Sequence, residues 1–460
     1  MITKHLYKAF QDILGKDHLL TEPEDLVTYS YDAAPLDTVS PAAVLIPENS
    51  EELGKVITLC YENRLPITVR GAGTNLSGGA IPIANGVVIL TGLLNKIIEI
   101  NEPDMYAIVQ PGVVTAHLAS RVEAKGLFYP PDPGSQAVST LGGNVMENAG
   151  GLRGLKYGVT KDYVMGLSFY DSMGNHVRTG SKTVKCATGY NITGLMVGSE
   201  GTLGILDKII LKLIPYPEHR ISIIAVFESI EKASETVTDI IAQKIVPATL
   251  EIMDKITIQA VEDFSNAGLP TDAGALLLIE LDGYPAQVKE DASKVVTICK
   301  KYKSFRIKTS DNDAEREKIW SARRSALSAL AKMKPTVILE DATVPRSKIP
   351  DMVKGLGEIA DKYQLVIGTF GHAGDGNLHP TILTDRRDKH EWQKVENAIE
   401  DIFDHALALG GTLSGEHGTG IAKSAFLKNE IGKASIDFSK RLRKALDPEN
   451  ILNPGKISGI

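Results

Sequence analysis

Residues 69–79 read VRGAGTNLSGG and follow directly on the short apolar run PIT at 66–68. A strand that runs straight into Gly71, Gly73, Gly78 and Gly79 restricts the fold more than any other stretch of the chain. Without Cβ atoms, backbone N–H groups there can turn toward a bulky anion and approach it closely. Arg70 and Ala72 flank the glycines, and Thr68, Thr74, Asn75 and Ser77 add short hydrogen-bonding side chains. Such a loop suits a diphosphate. It is not a Rossmann loop, because Leu76 stands where GxGxxG needs its third glycine; nor is it a Walker loop, because Ala80 follows Gly79. A lone glycine-rich turn is more often an ordinary tight loop. A second stretch, PPDPGSQAVSTLGGNVMENAGGLRGLKYG at 130–158, changes the odds by offering a second wall for one long anionic ligand.

With 460 residues, the chain is too long for one core, and two domains are expected. A net charge of −7 and no basic run exclude a nucleic-acid surface. No apolar run reaches the ~20 residues that span a bilayer. The N-terminus reads as an amphipathic helix with Leu6, Phe10, Ile13 and Leu14 on one face, not as a targeting signal. Cys60, Cys186 and Cys299 are scattered, which argues against an iron–sulfur site or a disulfide framework and for a cytoplasmic setting.

From Pro41 the pattern is strand, helix, strand: a βαβ unit that delivers the first glycine loop. Short β-rich runs follow, then a helix from Thr115 that stops at Gly126, two strands around a Met-Gly-Asn turn, and an alternating strand in GTLGILDKIILKLIPYP. Pro215 and Pro217 bracket a linker. Beyond it, the runs ISIIAVF, PATLEIM, ALLLIEL and TVILEDATV alternate with helical stretches, which predicts an antiparallel sheet with helices on one side.

RGAGTNLSGG, PPDPGS, TLGGNVMENAGG and GSEGTLGI, in this order and followed by GHAGDGNLH, GEHGTG and LNPGK, resemble the FAD-binding family shared with vanillyl-alcohol oxidase, in its branch of glycolate oxidase D-subunits and D-lactate dehydrogenases. The resemblance implies an α+β fold: a two-part FAD-binding domain (1–217), an antiparallel-sheet cap or substrate domain (218–422), and a C-terminal segment (423–460) that returns to the first domain. The flavin walls it implies are the loop Arg70 to Gly79 (Arg70, Gly71, Ala72, Gly73, Thr74, Asn75, Ser77, Gly78, Gly79), then Pro111 and Gly112, then Asp132, Pro133, Gly134 and Ser135. Thr140, Gly142, Gly143, Asn144, Asn148, Gly150, Gly151, Tyr157 and Gly158 continue the walls. Glu200, Gly201, Gly204, Ile205 and Asn453 complete them, with Glu200, Gly201 and Ile205 beside the adenine half. Some relatives attach FAD through a histidine just after the first glycine pair. Thr74 and Asn75 stand there in this chain, so FAD is expected without a covalent bond.

A second constellation joins His372 and His379 across Gly374, Asp375 and Gly376, with Glu416 and His417 in GEHGTG. Histidines seven apart would face opposite sides of a flat strand, so the glycines must fold the backbone for the rings to converge. Two histidines and a carboxylate with an open position form the ligand set of a catalytic divalent metal such as Zn, Fe or Mn; the plain alternative is a pair of hydrogen-bonded loop histidines. The resemblance implies that His372, His379 and Glu416 are metal ligands, His417 the general base and Arg323 the carboxylate-binding arginine, while Arg324 is a solvated charge. Relatives that take 2-hydroxyglutarate carry a threonine and a lysine where Leu327 and Leu339 stand here, which favours a small acid.

The reading is an FAD-dependent D-2-hydroxy-acid dehydrogenase acting on D-lactate, with electrons passed to a two-subunit electron-transferring flavoprotein. A glycolate oxidase subunit, a D-2-hydroxyglutarate dehydrogenase and a non-catalytic flavin relay subunit are the alternatives.

Overall fold

The computed structural model describes residues 2–457, which form two compact units. The first comprises the chain up to Gly150, Val159–Tyr216 and the chain from Glu416 onward. Its N-terminal helix, Lys4–Leu14, is capped by Thr3, whose hydroxyl accepts from the Leu6 N–H, and it buries Leu6, Phe10 and Leu14. The helix Ser50–Glu62, capped by Asn49, joins the strands Ala43–Leu45 and Ile67–Arg70. Both strands run parallel to Val87–Leu90, which lies between them, so the expected βαβ unit does lead into the glycine loop. Leu53, Val56, Ile57 and Cys60 of the helix close over Leu45, Ile67 and Ile89.

The other half of this unit is a five-stranded antiparallel sheet in the order Ile97–Asn101, Tyr106–Val109, Ile205–Lys212, Val164–Tyr170, His176–Gly180. Its core of Val109, Leu167 and Ile209 takes up Leu118, Leu141 and Val145 from the helices Thr115–Glu123 and Leu141–Glu147. The C-terminal helix Leu427–Leu446 leads to Ile451 and Leu452, which bury themselves with Leu45 and Ile67. Arg443 secures this tail by donating to the carbonyls of Leu452, Asn453 and Lys456.

The second unit, Gly151–Gly158 with Pro217–Gly415, is built on one antiparallel sheet. Its order is Arg306–Ser310, His219–Phe227, Ala275–Gly283, Thr249–Asp254, Val366–His372, Asn377–Thr384, Thr336–Leu339. Helices Ile230–Ala242, Pro285–Lys301, Ile349–Tyr363 and Lys389–Ala408 share a core with Leu277, Ile279 and Leu281. The expectation of helices on one side only is corrected here. Helices Lys255–Ser265, Asp313–Arg324 and Ala326–Leu330 share a second core with Leu276, Leu278 and Met253. The reason is visible in ALLLIEL: an apolar run interrupted only by Glu280 and buried along its length marks a strand covered on both faces. The boundaries also differ from those expected. The return to the first unit begins at Glu416, before Lys423, and Gly151–Gly158 groups with the second unit.

Candidate active site

The second helical face of the large sheet is where charge collects. Val366–His372 and Asn377–Thr384 form a hairpin that pairs Phe370 with His379 and His372 with Asn377, so both histidines share one face. Their rings stand perpendicular, centroids 5.1 Å apart. The neighbouring strand pairs Ile252 with Gly371, which sets Glu251 opposite His372. Glu251 is fully buried, and its Oε1 lies 2.6 Å from His372 Nδ1. A carboxylate acceptor there fixes the Nδ1–H tautomer and leaves Nε2 with the ligating lone pair, as in carboxylate–histidine–metal arrangements. The other oxygen, Oε2, lies 2.5 Å from Arg323 Nη2, and the guanidinium also stacks 4.7 Å from the Phe370 ring centroid. Burial pushes the Glu251 carboxyl up, but the Arg323 guanidinium and the bond from His372 Nδ1–H outweigh it and hold the group below its ordinary value.

The helix that carries Arg323 is held by a second buried carboxylate. Glu280 Oε2 accepts from the Trp320 indole N–H at 3.1 Å and faces Arg316 Nε at 3.4 Å. Arg323 is buried, and its Nε donates to no group among the described residues. A buried guanidinium edge with an unused donor is what a substrate carboxylate requires. Arg324, by contrast, pairs with Glu317 on the same helix. Leu327, one helical turn past Arg323, and Leu339 are half-buried against the second core.

In the first unit, a cavity of about 1120 Å³ is lined on one side by Gly71, Ala72, Gly112, Val113, Val114 and Thr140, and on the other by residues 95–100 together with His117, Ser120, Arg121 and Lys125. That is just above the ~300–1,000 Å³ range of small-molecule sites and suits a ligand as long as a dinucleotide. The two glycine-dense stretches meet here. A Cβ on Gly71 would lie 2.2 Å from Thr140 Oγ1, and the Gly142 N–H donates to the Pro111 carbonyl at 2.7 Å. The backbone N–H groups of Ala72, Gly73 and Thr74 donate to no protein group among the described residues, so the loop retains donors for a diphosphate. These features fit FAD.

Several expected flavin residues hold the cradle rather than face into it. Arg70 turns inward and donates to the Tyr31 carbonyl. Asn75 Oδ1 accepts from the Ser77 N–H, the Ser77 hydroxyl and the Gly79 N–H. Asn144 donates to Thr115, and Asn148 accepts from the Lys161 N–H. Asn453 donates to the carbonyls of Gly79 and Glu200 at 2.9 and 2.7 Å. Asp132 is buried; the Pro133 carbonyl accepts from the Gln136 N–H, closing the turn around Gly134, and the Ser135 carbonyl accepts from the Val138 and Ser139 N–H groups. Gly204 and Ile205 pack on the Val164–Tyr170 strand. Gly151, Tyr157 and Gly158 lie in the second unit, where the Tyr157 hydroxyl donates to Asp282 at 2.7 Å.

Of the expected ligands and base, His372 and His379 belong to the second unit, whereas Glu416 and His417 belong to the first. His417 Nε2 lies 3.8 Å from Glu416 Oε1. Glu251 and Glu280 escaped the sequence reading. TLEIM and LIELD look like plain strands, and the only available signal was an acid inside an otherwise apolar buried run.

Fold and cradle define a flavin-binding oxidoreductase scaffold. A family model described as "FAD binding domain" matches residues 41–180, and one described as "FAD linked oxidases, C-terminal domain" matches residues 216–457. The glycolate oxidase subunit GlcD of Bacillus subtilis (strain 168) is 50% identical over 457 residues, covering 99% of this chain and 97% of that protein. A D-lactate dehydrogenase of Anaerostipes hadrus is 34% identical over 470 residues, covering 99% of this chain and 98% of that protein. Among solved structures, p-cresol methylhydroxylase with substrate bound superposes with TM-score 0.82 at 19% identity, covering 99% of this chain and 98% of that one, a likeness of fold. The chain belongs to the FAD-linked oxidase family, in the branch of GlcD subunits and D-lactate dehydrogenases, and is an FAD-dependent oxidoreductase. No helix among the described residues is long and apolar enough to cross a membrane.

Proposed function

We propose that this chain dehydrogenates a small 2-hydroxy acid, D-lactate or glycolate, with Arg323 binding the carboxylate and His417 removing the hydroxyl proton. The observation that carries the reading is Arg323 itself: buried, oriented by Glu251 and Phe370, with an unused Nε donor on the sheet face of His372 and His379. Relatives named for glycolate and for D-lactate support both acids. Leu327 and Leu339 support a short substrate, because an unpaired distal carboxylate against them would cost a few kcal/mol or more, about the penalty of burying a polar group without a partner. The D hand comes from the family.

We carry His372, His379 and Glu416 forward as the ligands of a divalent Zn, Fe or Mn ion. Glu251 supports this by leaving Nε2 of His372 as the ligating nitrogen. When bound, FAD supplies the hydride acceptor and a divalent ion supplies the Lewis acid that acidifies the substrate hydroxyl. His417 takes that proton, Arg323 fixes the carboxylate, and the leucines exclude water and longer acids.

FAD is held without a covalent bond in this reading, and acid precipitation of the protein should release it. Electrons then pass to an electron-transferring flavoprotein of two subunits. Cys60 and Cys299 are buried in separate cores and Cys186 is exposed, which supports a partner protein rather than a cluster on this chain. The test is anaerobic mixing of the FAD-loaded protein with D-lactate, glycolate and D-2-hydroxyglutarate. The two small acids should bleach the flavin much faster; preference for the dicarboxylate rejects the reading.

A further inference from the structure

Glu200 lies in the GSEGTLGI turn, which the family pattern puts beside the adenine, yet its side chain is occupied elsewhere. Its backbone φ is 51°, in the left-handed region where a residue with a Cβ is uncommon and glycine is at ease. The carboxylate explains why a glycine would not serve. Oε1 accepts from the Thr419 N–H and Oε2 from the Gly420 N–H, each at 2.7 Å. Charge-assisted bonds to two successive amides are among the stronger grips available to a loop.

The grip is reinforced on both sides. The Ser77 carbonyl accepts from the N–H groups of Ile421 and Ala422 at 2.8 and 3.0 Å, which ties the same segment to the first glycine loop. Asn453 ties the Glu200 carbonyl to that of Gly79. Gly418 has φ 81°, and a Cβ there would lie 2.4 Å from Glu147 Oε2 and 3.0 Å from Glu200 Oε1, so the backbone sits directly on the two carboxylates. His417 is the residue immediately before this anchored run, and every group named here belongs to the first unit.

We infer that Glu200 is a positioning residue for His417: by gripping Thr419 and Gly420, its carboxylate sets where the imidazole stands relative to the Arg70–Gly79 loop and therefore to bound flavin. The inference rests on the reading of His417 as the base. Burial holds the Glu200 carboxyl above its ordinary value against the pull of the Thr419 and Gly420 amides, Lys423 and Lys456; burial, Glu200 and Asp32 push Glu147 well above its ordinary range.

The test uses the full-length FAD-loaded protein as wild type, Glu200→Gln, His417→Asn and the double variant, with anaerobic flavin reduction by D-lactate or glycolate as the readout. Glutamine keeps the shape but turns an NH2 toward one of the two amides. Displacement of a reacting group on the ångström scale costs about 10²-fold, so Glu200→Gln should slow flavin reduction by about 10–10²-fold, with FAD content and half-saturation unchanged. On the His417→Asn background it should cost less than about twofold, because the residue it positions is gone. Glu200→Gly, which suits the left-handed backbone but removes both bonds, should lower the melting temperature and slow reduction at least as much. Equal cost in both backgrounds, or a loss explained by missing FAD, overturns the inference. If His417→Asn reduces flavin at the wild-type rate, the base reading falls and the anchor with it. If His417→Asn is slow and Glu200→Gln is not, the base stands and only the anchor is rejected.

Discussion

The two units prepare for a ligand by opposite means. The first builds its cradle from backbone. Glycines bring two loops together, and the polar side chains around them spend their hydrogen bonds on backbone, Asn75 within its own loop and Glu200 and Asn453 on other loops. The second builds its site from charged side chains. Glu251 holds Arg323 and His372 on a sheet face and is itself fully buried. A cradle of amides can host a large ligand of fixed charge with little reorganisation, whereas a buried ionic group is intolerant of losing any member. The difference predicts a tolerant first unit and a brittle second.

The largest expected effect follows from that brittleness. Glu251→Gln leaves the Arg323 guanidinium buried without its counter-charge, which costs about 3–5 kcal/mol when one partner of a buried pair is removed. Denaturant unfolding should show that loss in the second unit, and adding Arg323→Met should recover much of it. A loss below about 1 kcal/mol, the scale of an exposed pair, would break the comparison.

In the first unit, Asn453→Ala removes two bonds to loop carbonyls, each worth about 0.5–1.5 kcal/mol. The expected cost is therefore about 1–3 kcal/mol, with a measurable rise in the FAD dissociation constant. Unchanged FAD affinity would show that the latch is dispensable to the cradle.

Legibility divides along the same line. The βαβ entry, the glycine loops and the convergence of His372 with His379 were readable, because glycine has few other reasons to cluster and a hairpin is the simplest way to turn two histidines onto one face. The second helical layer was not. ALLLIEL offers no alternation, and the helix of Arg323 is too charged to declare a buried face. Nor could sequence reveal that Glu251 and Glu200 act on other residues, since a carboxylate's partners are set by register and turn geometry rather than by spacing along the chain.

A pH-dependent effect sharpens the picture of the cradle. Asp32 accepts from the N–H groups of Ala34 and Ala80, and burial raises its pKa to about 6. A carboxyl whose folded pKa is raised favours the folded state when protonated, so its contribution falls as pH climbs from ~4 to ~6 and is flat above. At ~1.4 kcal/mol per pKa unit, the change is about 2–3 kcal/mol at most. Melting from pH 4 to 7 should show wild type losing ground to Asp32→Asn across that window and not beyond it. Parallel curves would contradict the assignment.

The central claim is that a small acid reduces the flavin through Arg323, and stopped-flow flavin reduction of wild type and Arg323→Met tests it most directly. With FAD content matched, D-lactate or glycolate should bleach wild type with saturation. Loss of a charge-assisted carboxylate grip, worth about 1.5–3 kcal/mol per bond, should lower the variant's kcat/KM by at least about 10-fold. Equal reduction of the two proteins, or a flavin that no 2-hydroxy acid bleaches, would contradict the account.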